Sequence, residues 1–212
     1  MCKHGKLLFR YGTMNSGKSL QLLATAHNFN EKKIPFIILK STIDTRDGKD
    51  VIHSRALGDR DCISISPTDN IYTLVESTEK LVDPYGYDKL RWILVDECQF
   101  LTAQQVDELA AIADMMGVNV ICFGLRTDFK TNLFPGSKRL FEVADSIEEI
   151  KSSCYCDSKT IFNARVDADG NVIVNGDQIE VGGDDRYVAL CRKCYYIKTG
   201  NPYYTSEDID EQ

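Results

Sequence analysis

Apolar residues fall along this chain in two alternating textures. Short, nearly continuous runs occur in "KLLFRY" (Lys6 to Tyr11), "PFIILK" (Pro35 to Lys40), "RWILVD" (Arg91 to Asp96) and "VNVICFG" (Val118 to Gly124), with a weaker one in "SIEEIKS". Runs of this length read as strands, and apolar residues at successive positions mark strands covered on both faces. Between them lie segments with helical spacing: "KSLQLLATAHNFNEKK", "TDNIYTLVESTEKL", "TAQQVDELAAIADMM" and "GSKRLFEVAD". The second has N-cap candidates at Thr68 and Asp69, and the third opens with the Thr102/Gln105 capping box. Strands alternating with helices imply right-handed crossovers and an α/β fold with a mostly parallel sheet. The polar, Gly-containing segment from Ser41 to Asp61 is too long for an idle connection and reads as a mobile or functional loop.

The texture changes after Cys154. "TIFNARVDADGNVIVNGDQIEVGG" holds β-rich runs broken by "DADGN" and "NGD", the pattern of a hairpin followed by a loop. The terminal "TGNPYYTSEDIDEQ" is polar and acidic and reads as a disordered tail. The organisation expected is a nucleotide-binding α/β domain over 1–150, a small cysteine-bearing domain over 151–198 and a tail over 199–212.

The turn between the first strand and first helix is Gly12-Thr13-Met14-Asn15-Ser16-Gly17-Lys18-Ser19, a P-loop in its required context. Its glycines let backbone N–H groups turn inward around phosphate oxygens, and the helix N-terminus adds partial positive charge. Lys18 reaches for the β- and γ-phosphates, and Ser19 is placed to ligate Mg²⁺. Such a loop needs an acid at the end of a neighbouring strand, and "WILVDECQF" supplies Asp96 for the metal. Glu97 follows it, either as an ordinary acid ahead of the next helix or as a general base beside the γ-phosphate; the P-loop favours the second.

Composition narrows the picture. Charged residues at 27% and hydrophobic ones at 43% are ordinary for a globular chain of 212 residues. A net charge of −7 opposes general nucleic-acid binding, so anions are expected only at a local site. No apolar run approaches the roughly 20 residues that span a bilayer, and "MCKHGKLLFRY" lacks a secretory signal, so a cytoplasmic location is expected. In a reducing compartment the pairs Cys154/Cys156 and Cys191/Cys194 fit a closed, structural Zn²⁺ site of four thiolates. Cys2, Cys62, Cys98 and Cys122 read as packing, and His53 as a solvated loop residue.

"GTMNSGKS", "DTR", "VDECQF", "GLRTDF", "GGDDRY" and the paired cysteines, in this order from about Lys6 to Tyr196, resemble the type II thymidine kinases. The resemblance implies a RecA-like sheet and a zinc-tied lasso over the acceptor. It implies ATP with Mg²⁺ on Gly12 to Ser19, with Asp96, Gln99, Asp44 and Arg46 near metal and phosphates. Glu97 then matches the base that deprotonates the 5′-hydroxyl of thymidine. Phe100, Phe129 and Phe134 each read as core by position, but the resemblance places Phe100, Phe129, Met14 and Leu125 at the thymidine site. Gln178, Ile179, Glu180, Val181, Gly182 and Tyr187 match the lasso. A homotetramer inhibited by thymidine triphosphate is also implied. The one-residue gap between Cys154 and Cys156 departs from the commoner two-residue spacing. The competing reading is a zinc-ribbon ATPase acting on nucleic acid, with Glu97 activating water; the acidic balance counts against it.

Overall fold

The computed structural model describes residues 4–44, 50–54, 58–82, 89–176 and 186–204. Among them, six strands form one all-parallel sheet: β1 (Leu7–Gly12), β2 (Phe36–Ser41), β5 (Ile63–Ile65), β6 (Trp92–Asp96), β7 (Asn119–Gly124) and β8 (Ser146–Ile150), ordered β5-β2-β6-β7-β1-β8. The continuous apolar runs have a direct cause, because alternate residues of each strand enter different cores. Ile38, Leu94, Ile121 and Phe123 meet Leu22, Leu23 and Ala26 of α1 (Lys18–Glu31). Leu39, Ile93, Val95, Val120 and Cys122 join a second cluster with Ile71 and Val75 of α2 (Ile71–Val82), Val106 and Leu109 of α3 (Ala103–Ala111), and Leu140 of α4 (Pro135–Val143). Helices therefore cover both faces, as a parallel sheet requires.

The capping box forms as expected. Thr102 Oγ1 accepts from Gln105 N and Gln105 Oε1 from Thr102 N, each at 3.1 Å. Thr102→Ala is expected to cost about 1 kcal/mol. Denaturant unfolding should register that loss with catalytic activity unchanged; an unaltered midpoint would contradict the cap's contribution.

Two local expectations are corrected. The polar segment after β2 is not all loop: β3 (Val51–Ser54) and β4 (Gly58–Asp61) form an antiparallel hairpin, and β5 extends the sheet. Their signal is weak because Ile52 is the wholly buried anchor in a charged sequence. Across this hairpin the His53 ring meets the Asp59 carboxylate. Helix α2 is capped by Asn70, whose side chain accepts from Thr73 N at 2.8 Å, while Asp69 accepts from Ser66 N instead.

Beyond Ile150, β9 (Phe162–Val166), β10 (Val172–Ile173) and β11 (Tyr187–Leu190) form an antiparallel sheet ordered β10-β9-β11. A further helix, α5 (Arg192–Lys198), starts inside the Cys191/Cys194 knuckle, where Cys191 Sγ accepts from Cys194 N. Phe162, Ala164, Leu190 and Tyr195 make the small core of this unit. Of the acidic tail, Asn201 to Tyr204 turn back so that Tyr204 packs 5.0 Å from the Tyr196 ring; residues 205–212 lie outside the described ones.

Candidate active site

Strand β1 delivers Gly12 to a crowded position. A Cβ there would meet Ser16 Oγ at 2.3 Å and Ile150 O at 2.8 Å, so only glycine fits. Asn15 at φ 58° and Gly17 at φ 87° are left-handed and turn the loop into the start of α1. Lys18 is buried, with Nζ donating to Thr13 O at 2.8 Å. Ser16 Oγ is buried with no hydrogen-bond partner among the described residues, a donor available to a phosphate oxygen.

Asp96 ends β6 on the far side of β7, and Ser19 Oγ donates to its Oδ2 at 3.4 Å. Burial, then the Glu97 charge, push the Asp96 carboxyl up to about 7, against the opposing pull of a backbone hydrogen bond, Lys18 and Lys40. Lys40 is almost wholly buried, its ammonium 3.3 Å from Asp44 Oδ2 and donating to Val51 O at 3.3 Å. Asp44 is thereby held near the end of β2, which pairs with β6 at Asp96. An ammonium inside "FIILK" carries no sequence signal of its own. Arg46 lies outside the described residues.

Glu97 leaves β6 in a left-handed conformation, φ 49°, and is buried. Its N–H donates to Asp96 Oδ1 at 3.0 Å, and its Oε2 accepts from Gln99 Nε2. Gln99 Oε1 in turn accepts from Leu125 N at 2.9 Å, so both ends of the amide are engaged. Gly124 makes room for this bridge, since a Cβ there would lie 2.6 Å from Gln99 Oε1. The structure thus places Gln99 as the residue that aims Glu97.

Beyond Glu97, Phe100 packs edge-on to Phe134 at 5.7 Å. Phe129 sits in a loop closed by the Thr127–Leu133 bridge, with Asp128 Oδ1 accepting from the backbone of Lys130 and Asn132. Two residues that sequence reasoning missed organise this side. Arg165 stands 4.0 Å over the Phe129 ring and donates from Nε and Nη2 to the Tyr187 hydroxyl at 3.1 and 3.0 Å. Tyr195 donates its hydroxyl to Phe129 O at 2.6 Å. Met14 N–H does not face the loop interior; it donates to Asn163 Oδ1 at 2.7 Å. Gln178, Ile179, Glu180, Val181 and Gly182 lie outside the described residues.

The four cysteines converge. One sulfur from each of Cys154, Cys156, Cys191 and Cys194 lies within 4.8 Å of the others, Cys156 being 3.6 Å from Cys191 and 3.5 Å from Cys194. A disulfide needs about 2.05 Å. A zinc tetrahedron with bonds of about 2.3 Å has sulfur–sulfur edges of roughly 3.8 Å. The cluster therefore fits zinc, Cys154 included despite its short spacing.

A phosphate loop at one strand end, with a buried acid pair at the next strand but one, defines a P-loop nucleotide-binding protein. The sequence profile of the family described as thymidine kinase matches residues 5–195. A thymidine kinase of Streptococcus pyogenes serotype M3 is 42% identical over 192 residues, 90% of this chain and 97% of that protein. One from Streptococcus agalactiae serotype Ia is 41% identical over the same shares of both chains. The chain belongs to the thymidine kinase family.

Proposed function

We propose that the protein transfers the γ-phosphoryl group of ATP to the 5′-hydroxyl of thymidine, giving thymidine monophosphate and ADP. The observation that carries this reading is Glu97, aimed by Gln99 beside the Asp96–Ser19 pair. Glu97 takes the hydroxyl proton as the 5′-oxygen bonds to phosphorus and the bond to the β-phosphate bridge breaks. Lys18 and the loop N–H groups hold the charge on the transferred group. Ser19, Asp96 and Asp44 are the residues that would hold Mg²⁺, which when bound neutralises phosphate charge. Arg46 is assigned to the phosphates and Asp96 to the nucleotide side, while Gln99, in the same segment, orients Glu97. Phe100, Leu125, Phe129, Tyr187 and the segment Gln178 to Gly182 are assigned to the base and sugar.

The zinc site is structural in this reading, with a nucleotide-binding unit over 1–150 and a cysteine-bearing unit over 151–198 against which residues 199–204 pack. A homotetramer in the cytoplasm, inhibited by thymidine triphosphate, belongs to the same proposal. No helix among the described residues is long and apolar enough to cross a membrane. The nucleic-acid ATPase reading is not supported: the family match spans nearly the whole chain and the net charge is −7. Incubation with γ-labelled ATP is expected to move label to thymidine with little free phosphate. Phosphate release stimulated by nucleic acid, without labelled thymidine, would overturn the assignment.

A further inference from the structure

Three hydrogen bonds join the phosphate loop to the cysteine-bearing unit. Thr13 Oγ1 lies 2.9 Å from both Ser152 Oγ and Thr160 Oγ1, and those two hydroxyls are 2.6 Å apart. Next along the chain comes the bond from Met14 N–H to Asn163 Oδ1. Thr13, Thr160 and Asn163 are all buried. Each of the three hydroxyls has a partner within the cluster, and Thr160 Oγ1 can also donate to Ser152 O at 3.1 Å.

The partners on the far side are parts of the metal unit. Ser152 and Thr160 close the turn that carries Cys154 and Cys156: Thr160 N donates to Ser152 O at 2.9 Å, and Cys154 N to Ser158 O at 2.8 Å. Asn163 lies on β9 opposite Ala189 of β11, the strand that runs into Cys191. On the near side, the Thr13 carbonyl accepts from both Lys18 Nζ at 2.8 Å and Ser16 N at 3.3 Å. Thr13 is therefore the junction between the cysteine turn and the groups that face a phosphate.

We infer that Ser152, Thr160 and Asn163 are positioning residues for the phosphoryl donor, through which the cysteine unit braces the phosphate loop. The inference rests on ATP being the donor. The loop passes through Asn15 in a left-handed conformation, which a non-glycine residue keeps when its surroundings hold it there. Support fixed before binding raises affinity, because less ordering remains to be done when the ligand arrives. The metal unit thus contributes to both substrates: to the acceptor side through Tyr195, Arg165 and Tyr187, and to the donor through Thr13.

The test titrates the zinc-loaded protein calorimetrically with a non-hydrolysable ATP analogue and Mg²⁺, without acceptor. Thr160→Val keeps the side-chain shape and removes the hydroxyl; it is expected to raise the analogue Kd about tenfold. Thr160→Ser keeps the hydroxyl and should stay within about twofold of wild type, as should thymidine affinity in both variants. Thr13→Val removes the Thr13–Thr160 bond from the loop side, together with the Thr13–Ser152 bond, and should weaken the analogue at least as much as Thr160→Val, the double variant being no weaker than Thr13→Val alone. Zinc content and thermal unfolding are recorded for each, and if Thr160→Val loses zinc, Thr13→Val carries the test. Wild-type analogue affinity in Thr13→Val and Thr160→Val overturns the inference. So does an equal loss of thymidine affinity, or a Thr160→Ser variant as weak as valine. Failure of the wild-type protein to bind the analogue would instead remove the donor assignment itself.

Discussion

Replacing Glu97 with glutamine is expected to lower kcat by about 10³-fold or more, within or beyond the range general-base catalysis contributes. Three features make this substitution informative. The change is isosteric, and a glutamine carbonyl can still accept the Gln99 Nε2 hydrogen bond, so the residue keeps its aim. The left-handed turn at position 97 is unaffected by an amide in place of a carboxylate. The phosphate loop lies on β1 and α1, across β7 from Glu97, so ATP-analogue affinity should remain near wild type. Single-turnover kinetics with thymidine, beside calorimetry with the analogue, separate the chemical step from binding. Turnover within about tenfold of wild type would remove Glu97 as the base.

The second large effect is expected at the cysteines. Cys191→Ser with Cys194→Ser should abolish zinc binding, lowering elemental zinc from about one per chain to background. The unit has little else to hold it. Its core rests on a few side chains around Phe162, Leu190 and Tyr195, and units this small are usually stabilised by metal or disulfides. Structural zinc contributes on the order of 10 kcal/mol of binding to such folds. Its loss should release Tyr195 from Phe129 O and Arg165 from Tyr187, raising the thymidine KM by tenfold or more for about 1.4 kcal/mol lost. Far-UV circular dichroism should show the six-stranded sheet retained, since its clusters are built without residues beyond Ile150. A zinc-free variant with normal KM would refute the structural role of the metal.

Much of this molecule follows from neighbours along the chain. The strand–loop–helix order around Gly12 to Ser19, the acid pair after "WILV", the Thr102 capping box and the paired cysteines all depend on spacing within a few residues. Spacing is a local property, and each of these features has the same chemistry wherever the segment lies. The runs "FIILK" and "VICF" likewise reveal strands covered on both faces, because alternate residues must enter separate cores. The hairpin β3–β4 was hidden for the converse reason: with Ile52 as its wholly buried anchor, it has almost no period to read.

Tertiary structure decided what the local pattern leaves open. Strand order puts β7 between β1 and β6, and that places Asp96 within reach of Ser19. Side-chain direction buries Lys40 against Asp44, turns Gln99 onto Glu97, and lays Arg165 over Phe129. Crossover geometry brings Thr160 and Asn163 against the phosphate loop, although each follows it by more than a hundred residues. A period or a motif fixes which face a residue occupies and what its atoms can do. Which distant residue stands opposite depends on how sheets and helices close on one another, and that is settled only when the whole core packs.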